Sequence, residues 1–307
     1  MRKINILVIG GTGFVGRVIA STLNAGDYRV TVLSRGGKEG TSLSADIPVI
    51  RADVLKPGLW QELISEYDVV INLAGVSIFR RWTEKAQQEI AYSRIIATRN
   101  IVDALQIRSS KVKQFFSISG VGYYGFHKDE VLDENAAQGH DFLASVAAQW
   151  EQEAVKAAEN GIRAVICRLG HVLGPDGGVL SKLLSLAKLH LASRWGNGKQ
   201  WISWVHQADV AGAFLFLLDN DTISGTINIT APEPVQNHEL MATLSRLIGK
   251  RVFIPPVPEF LLRLITGEFS TVFVNGQRVI PRKLLASGHT FKYSTLETAM
   301  QNLLLPY

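Results

Sequence analysis

Glycine recurs at three-residue intervals near the start of the chain, at Gly10, Gly13 and Gly16. A diphosphate needs bare backbone N–H groups to lie against, and the N-terminus of a helix adds a dipole that favours an anion. A side chain at Gly10 or Gly13 would keep such a ligand out, and one at Gly16 would push the helix away from the preceding strand. The spacing therefore predicts a turn that binds the diphosphate of a dinucleotide.

The segments around this turn are those that a dinucleotide-binding turn requires. Residues 4–9 form a nearly continuous apolar run, the pattern of a parallel strand buried on both faces. From Phe14 the apolar residues take helical spacing as far as residue 25, and residues 29–34 predict a second strand. A glycine-rich turn without a ligand is the alternative, but the strand before the turn and the helix after it favour a cofactor.

The end of the second strand bears on which dinucleotide binds. An NAD-preferring protein usually carries an acidic residue there for the ribose hydroxyls, whereas this chain has Ser34 and Arg35. A guanidinium can pair bidentately with a ribose phosphate, so we predict NADP(H) rather than NAD(H); a solvated arginine at a strand end is the alternative. Asp53 would either face the adenine or serve as a turn carboxylate, and both interpretations stay open.

Composition excludes several other classes of protein. A chain of 307 residues, 47% of them hydrophobic, predicts a compact fold of one large or two closely joined domains. The net charge of +5 is scattered, without a basic run among aromatics, so we predict no nucleic-acid partner. No apolar stretch approaches the ~20 residues of a membrane span, no signal-peptide cleavage site follows the start, and we expect a cytoplasmic protein. No cluster of ligand-type residues predicts a metal site.

Strands alternate with helices over the first half of the chain, which predicts an α/β fold with a doubly wound parallel sheet. After the second strand, further strands are predicted at residues 48–52, 69–73, 112–119, 163–169 and 225–230. Helices are predicted at residues 14–25, 58–65, 83–106, 140–159, 179–191, 210–218 and 237–248. Asp209 is expected to cap the helix that follows it. After Gly170 the regular alternation of strands and helices ends, and we expect a smaller C-terminal lobe over the carboxyl edge of the sheet.

Several short motifs together resemble the landmarks of extended short-chain dehydrogenases/reductases. In chain order these motifs begin at Gly10, Asp53, Asn72, Ser119, Gly174 and Val205. More narrowly, the chain is similar to an atypical subgroup called epimerase family proteins, through residues 81–83 (Arg-Trp-Thr), 122–125 (Gly-Tyr-Tyr-Gly) and 198–201 (Gly-Lys-Gln-Trp), among others. The resemblance implies a Rossmann domain that binds NADP(H), formed by residues 1–170 and 206–230. It also implies a substrate-binding lobe formed by residues 171–205 and 231–307.

The same resemblance implies that a hydride passes to or from a sugar-like carbon while a tyrosine, with a lysine four residues later, moves the proton. In the register set by Trp150 and Glu151, those two positions fall on Leu143 and Ala147. Neither side chain can move a proton, and residues 140–160 contain no such pair in any register. The chain therefore departs from its family at the step on which dehydrogenase catalysis depends.

Four other residues are candidates for the chemistry. Ser119 matches the serine that bonds the substrate oxygen in the family, and a turn hydroxyl is the alternative. Either Tyr123 or Tyr124 is the candidate proton donor, and half-buried packing is the alternative. Arg94 would hold an anionic group of the substrate or balance the proton of the phenol, with ion pairing on a helix surface as its alternative.

The remaining predicted contacts divide between cofactor and substrate. The predicted cofactor-binding residues are Gly10, Thr12, Gly13, Phe14, Val15, Gly16, Ser34, Arg35, Asp53, Val54, Leu73, Ala74, Gly75, Ser117, Arg168 and His171. A structural role is the alternative for the histidine. Flat aromatic faces and amide donors suit a sugar ring, although a core that joins the two lobes would explain them too. The predicted substrate-binding residues are Lys199, Gln200, Trp201 and Trp204.

These features predict an NADP(H)-dependent oxidoreductase or epimerase that acts on a sugar-like or other small carbonyl or hydroxyl compound. A nucleotide-sugar-like molecule is one candidate substrate, and a homodimer is a candidate assembly. The absent tyrosine and lysine keep a second function open, that of an NADP(H)-binding sensor or scaffold with weak turnover. Conventional NAD-dependent epimerisation is disfavoured by Arg35 and by the absent tyrosine.

Overall fold

The computed structural model describes residues 3–37, 42–106, 110–188, 193–249 and 257–305. Its strands are β1 (Ile4–Ile9), β2 (Tyr28–Ser34), β3 (Val49–Arg51), β4 (Val69–Asn72), β5 (Gln114–Gly120), β6 (Val131–Leu132), β7 (Arg163–Leu169), β8 (His171–Gly174), β9 (Trp201–Ile202), β10 (Trp204–His206), β11 (Gly225–Ile229), β12 (Val235–Gln236) and β13 (Arg278–Val279). Its α-helices are α1 (Phe14–Ala25), α2 (Trp60–Ile64), α3 (Glu84–Leu105), α4 (Phe142–Val155), α5 (Gly178–Lys188), α6 (Gln207–Asp219), α7 (Asn237–Leu247), α8 (Glu259–Thr266), α9 (Ser270–Val274), α10 (Arg282–Ala286) and α11 (Leu296–Leu304).

Seven of these strands form one sheet in the order β11-β7-β5-β4-β1-β2-β3. Every pairing within it is parallel. The chain passes from β1 to β2 on one side and later returns to β4 on the other, so the strand order reverses at β1. Sheets of this kind bind ligands in the crevice at the carboxyl ends of the strands, beside the reversal. The predicted doubly wound α/β fold is confirmed.

Strand β1 is buried on both faces, as its apolar run predicts. Ile6 and Val8 join a core cluster with residues of α1 and α6. The alternate residues Leu7 and Ile9 join a second cluster with residues of α2, α3 and α4. Helical layers on both faces of the sheet thus hold the strand whose end leads into the glycine turn.

The predicted element boundaries hold within a few residues over most of the chain. Helix α1 and strand β7 have the predicted bounds. The helix predicted at residues 140–159 is α4 followed by a 3₁₀ helix at Lys156–Asn160. Helix α5 is described as far as Lys188, and the rest of the predicted helix, to residue 191, lies outside the described residues. None of the described helices has the length and apolar character that a membrane crossing needs.

Asp209 does not cap α6, contrary to the prediction. The N-cap is His206, whose Nδ1 accepts the backbone N–H of Ala208 at 3.0 Å. Asp209 lies within the first turn, and its carboxylate accepts the backbone N–H groups of Lys292 and Tyr293 at 2.7 and 2.9 Å. The aspartate therefore ties the C-terminal segment to α6, a contact between distant parts of the chain that local sequence does not reveal.

Replacement of His206 by asparagine should reduce the loss of stability in acid. Burial lowers the pKa of His206 to about 4, below the ~6.5 of an unfolded histidine. The unfolded chain takes up the proton first, so stability falls as pH drops from about 6.5 to about 4. Asparagine can still cap a helix but does not titrate in this range. Urea unfolding at several pH values should show a shallower decline for His206→Asn, and an equally steep decline would contradict this role.

Candidate cofactor and substrate site

The glycine turn between β1 and α1 brings two strand ends into backbone contact. Gly10 has a φ of +78°, and a Cβ there would stand 2.9 Å from the carbonyl oxygen of Leu73. The structure thus uses Gly10 for its conformation and for this contact, rather than for the ligand space that the sequence suggested. A Cβ on Gly16 would stand 2.5 Å from the Gly10 oxygen, so Gly16 does allow close packing of the helix. A Cβ on Gly13 would meet only that oxygen, at 3.3 Å, and otherwise faces open space.

Two cavities meet at this turn and form one groove. The β2-side cavity, of about 430 Å³, lies at the ends of β2 and β3. The β5-side cavity, of about 510 Å³, lies at the ends of β5 and β7. Their shared walls are Gly10, Gly13, Leu73, Gly75 and Val76. The groove crosses the carboxyl edge of the sheet at the strand reversal, with the unpaired N–H groups of the α1 N-terminus near its middle.

Most of the predicted cofactor-binding residues line this groove. In the β2-side cavity they include Thr12, Ser34, Arg35, Asp53, Val54 and Ala74. In the β5-side cavity they include Phe14, Val15, Gly16 and His171. Ser117 and Arg168 lie on neither wall. The hydroxyl of Ser117 is buried without a partner among the described residues, and Arg168 pairs with a buried carboxylate.

The outer end of the β2-side cavity carries hydroxyl and guanidinium groups. The hydroxyls of Thr12 and Ser34 lie 2.7 Å apart. Arg35 is exposed, and no described residue pairs with its guanidinium. Asp53 accepts the backbone N–H of Leu55 at 3.1 Å, the turn-carboxylate arrangement, while it also lines the cavity. A free guanidinium beside two hydroxyls is an arrangement that binds phosphate groups.

The positions that the resemblance assigns to the tyrosine and the lysine lie on the wall of the β5-side cavity. Leu143 and Ala147 both line it, together with Val146 and Trp150 from the same helix. The register taken from the sequence therefore places the two positions where the family would need them. Because both side chains are apolar, any proton transfer in this cavity must use other groups.

Ser119 leads from this wall into a buried network of charges. Its hydroxyl donates to Oε1 of Glu151 at 2.6 Å. Arg168 donates to both oxygens of the same carboxylate, at 2.8 and 2.7 Å, and its guanidinium lies 3.3 Å from the ring centre of Tyr123. Burial disfavours the charge of Arg168, but the hydrogen bonds and charge of Glu151 hold its pKa above the usual value. From the sequence alone, Glu151 served only to set the helix register, and this network was not predicted.

Neither tyrosine lines the cavity in which it was expected to move a proton. Tyr124 is fully buried and donates its hydroxyl to Oδ1 of Asn228 at 2.7 Å. Burial raises the pKa of Tyr124 to about 12, which makes its proton harder to release. The ring of Tyr123 lies against the guanidinium of Arg168. The structure therefore gives both rings a packing role around the buried arginine, which was their alternative interpretation.

The four predicted substrate-binding residues line neither cavity. Trp204 is fully buried in the core cluster that joins α5, α7 and α11, and this is the architectural alternative for the tryptophans. The indole of Trp201 donates to Asp129 at 2.9 Å. The side-chain amide of Gln200 donates to the carbonyl oxygen of Trp195 at 3.1 Å. In their place, the C-terminal segment contributes side chains that the sequence analysis did not select: Val272, Asn275 and Gln277.

Arg94 and His171 add polar groups to the β5-side wall. Arg94 donates to the carbonyl oxygens of Ile90 and Val76, at 3.1 and 3.0 Å, and not to a carboxylate. Burial lowers the pKa of Arg94 to about 10, so it stays charged at neutral pH. Nδ1 of His171 donates to the carbonyl oxygen of Ser203 at 3.2 Å, which leaves Nε2 as the acceptor, and burial lowers the pKa of the ring. Within the described ranges no group of His, Cys, Asp and Glu could hold a metal ion.

The sequence of residues 6–230 matches the model of the NAD dependent epimerase/dehydratase family. The chain belongs to this family. A domain of unknown function (DUF1731) matches residues 257–303, the segment that supplies Asn275 and Gln277 to the β5-side cavity. The epimerase/dehydratase match thus covers the sheet and the glycine turn, and the second match covers part of the opposite wall.

Members of the epimerase/dehydratase family similar to this chain carry the subgroup name that its motifs predicted. Epimerase family protein YfhF of Bacillus subtilis is 37% identical over 301 residues, which cover 98% of each chain. The chloroplastic SDR39U1 homolog of Arabidopsis thaliana is 33% identical and covers 97% of this chain and 86% of its own length. The crystal structure of human epimerase family protein SDR39U1 with NADPH has a TM-score of 0.85 and 29% identity, covering 99% of this chain and 100% of that one. The predicted resemblance to atypical extended short-chain dehydrogenases/reductases is confirmed.

Replacement of Glu151 by glutamine should destabilise the protein by about 3–5 kcal/mol, because it leaves the buried charge of Arg168 without a counter-ion. Glu153 offers a matched control on the same helix. Its partners Arg99 and Lys156 are 49% and 47% exposed, so Glu153→Gln should cost about 1 kcal/mol or less. Urea unfolding measures the free energy of unfolding of both variants. Equal losses would show that the buried Arg168–Glu151 pair stabilises the protein no more than the exposed partners of Glu153 do.

Proposed function

We propose that the protein is an NADP(H)-dependent oxidoreductase that acts on a small carbonyl or hydroxyl compound in the β5-side cavity. The observation that carries the proposal is the pair of cavities with shared walls. Arg35, which pairs with no described residue, lies at one end of them and the Ser119–Glu151 pair at the other. The similar human protein was crystallised with NADPH, which supports the choice of cofactor. In this proposal, residues 171–205 and 231–307 supply the substrate side of the site.

The groove has the open space, backbone N–H groups and positive charge that the phosphate groups of a dinucleotide require. Open space in front of Gly13 and the first turn of α1 would hold the diphosphate. Arg35, Thr12 and Ser34 would hold the phosphate on the adenosine ribose. A bound nicotinamide would give or take a hydride at the substrate carbon.

Ser119 and Glu151 can move the proton that accompanies the hydride. Because the single hydroxyl proton of Ser119 is donated to Glu151 at 2.6 Å, its oxygen faces a substrate as an acceptor. In the oxidation of an alcohol, the substrate proton passes to Ser119 Oγ while the Ser119 proton passes to Glu151 Oε1. Reduction moves the same two protons back. Arg168 keeps its charge against the ring of Tyr123 while Glu151 holds the proton.

A second function is favoured by one specific observation, the apolar Leu143 and Ala147 on the cavity wall. A protein that binds NADP(H) without turning over a substrate would tolerate these residues, because no proton then needs to move. Such a protein would serve as a sensor or scaffold. The two functions share the cofactor and differ in whether a substrate oxidises the bound NADPH.

Replacement of Arg35 by alanine should weaken NADPH binding by about tenfold to a hundredfold, because the ribose phosphate loses a charged partner. The same variant should bind NADH as the wild type does. Arg29, which is exposed at the other end of β2, is the matched control, and Arg29→Ala should leave both affinities unchanged. Isothermal titration calorimetry measures the affinities of the wild type and both variants for NADPH and NADH; an equal loss for the two cofactors in Arg35→Ala would show that Arg35 does not recognise the phosphate.

Replacement of Ser119 by alanine should lower turnover by about a hundredfold or more while the NADPH affinity stays unchanged, because the proton loses its first acceptor. The matched control is Ser117→Ala, two residues earlier on β5 and off the groove walls. NADPH absorbance with a panel of aldehydes, ketones and nucleotide sugars measures turnover. Unchanged turnover in Ser119→Ala would remove Ser119 from the chemistry, and tight NADPH binding with no panel member reduced would favour the sensor.

A further inference from the structure

Arg94 places a half-buried positive charge on the wall of the β5-side cavity, and no described carboxylate forms an ion pair with it. Its two hydrogen bonds within the described part of the chain run to the backbone carbonyl oxygens of Ile90 and Val76, which orient the guanidinium but do not neutralise it. The guanidinium lies 5.4 Å from the ring centre of Trp150, a contact that favours a cation there. Among the described residues, Nε–H of Arg94 has no acceptor.

Two other arginines that pack into the described structure have different surroundings: Arg168 is buried against a carboxylate, although its Nη1 has no partner among the described residues, and Arg163 is half-buried. Arg168 donates to both oxygens of Glu151. Arg163 uses all three of its nitrogens, which donate to the side chain of Gln114 and to the carbonyl oxygens of Ile223, Leu217 and Asn220. Burial of a charge without such partners is costly, so an unpaired one on a cavity wall indicates a ligand that supplies the missing acceptors.

Polar groups share the cavity wall with Arg94. Gly75 packs closely against the guanidinium, since a Cβ there would stand 3.2 Å from Cζ of Arg94, and both residues line the β5-side cavity. The amide side chains of Asn275 and Gln277 line the same cavity. The acidic residue on the wall, Asp141, already accepts the backbone N–H of Ala144 at 3.0 Å as the N-cap of α4.

The size of the cavity limits what that anion belongs to. A volume of about 510 Å³ must hold the nicotinamide end of the cofactor as well as the substrate. The space left over suits a small organic acid rather than a nucleotide sugar. A planar guanidinium with free N–H donors matches a carboxylate, which accepts two parallel hydrogen bonds.

We propose that Arg94 binds the carboxylate of the substrate, and that the β5-side cavity accepts small oxo or hydroxy acids. The inference rests on the proposed function, since it names the substrate class of the same site. Arg94 acts on binding, whereas Ser119 and Glu151 act on the proton. The charged group of the substrate thereby fixes the distance between its reacting carbon and Ser119.

The cofactor diphosphate is the other anion within the groove, and the experiment separates it from a substrate carboxylate. The probes are phenylpyruvate and its methyl ester, which share an oxo group and differ in the charge of the acid. Fluorescence of bound NADPH reports probe binding to the NADPH-loaded protein, and NADPH absorbance reports turnover. The variants are Arg94→Met, Arg94→Lys and the control Arg99→Met. Arg99 also lies on α3, but its side chain pairs with Glu153 of α4.

The wild type should bind phenylpyruvate at least about tenfold more tightly than the ester. Arg94→Met should abolish this preference, Arg94→Lys should keep part of it, and Arg99→Met should keep all of it, with NADPH affinity unchanged throughout. Arg94→Met should also melt at no lower temperature than the wild type, because it removes an unpaired buried charge. Equal binding of acid and ester by the wild type, or binding of neither, would overturn the proposal. So would a loss of NADPH affinity in Arg94→Met without a change in the preference, since Arg94 would then serve the diphosphate.

Failure of the proposed function would look different. If phenylpyruvate binds through Arg94 but no oxo acid oxidises NADPH, the carboxylate site stands and the oxidoreductase proposal fails. If NADPH itself does not bind, calorimetry of the acid with the cofactor-free protein still tests the role of Arg94, and a loss of acid binding in Arg94→Met would support it.

Discussion

The contact between the backbone at Gly10 and the backbone after β4 is the constraint on which the site depends. The N–H of Gly10 donates to Leu33 at 2.8 Å, and the N–H of Leu73 donates to Ile9 at 2.9 Å, so β1 stays bonded to both neighbours up to the turn. Only a residue without a Cβ can take the φ of +78° this close to Leu73. Helix α1 then leaves the sheet at this point, and the space on each side of the turn becomes one of the two cavities.

Burial and pairing distinguish an arginine that stabilises the fold from arginines that face the two cavities. Arg168 is buried and its charge is balanced by Glu151, so it serves the stability and geometry of the network behind Ser119. Arg35 is exposed at the mouth of the β2-side cavity, where water can solvate its charge. Arg94 is half-buried on a cavity wall and has no acidic partner among the described residues. All three arginines could be selected as candidates from the sequence, but only the packed structure shows which of them has an acidic partner.

The fold and the groove at the glycine turn could be predicted from the sequence because their signals are local. Glycine spacing, an apolar strand and helical periodicity predict β1, the turn and α1, and these elements set the middle of the groove without reference to the rest of the chain. The capping role of Asp209 was predicted from the same kind of signal and was wrong, because its backbone partners lie at Lys292 and Tyr293. The burial of Trp204 likewise depends on helices that follow it in sequence. Interactions between distant segments have no local pattern that would reveal them.

Glu151 is the residue that the sequence could have revealed and did not. Leu143, Ala147 and Glu151 follow one another at four-residue spacing, so they share one face of α4. The first two are apolar where the resemblance implies a tyrosine and a lysine, and the third carries a carboxylate on an otherwise apolar helix face. Ser119 and Arg168 are paired residues in the register between β5 and β7, and both bond to Glu151. The sheet register and the helix face together fix this network, so the fold brings a carboxylate to the hydroxyl of Ser119 one helical turn beyond residue 147.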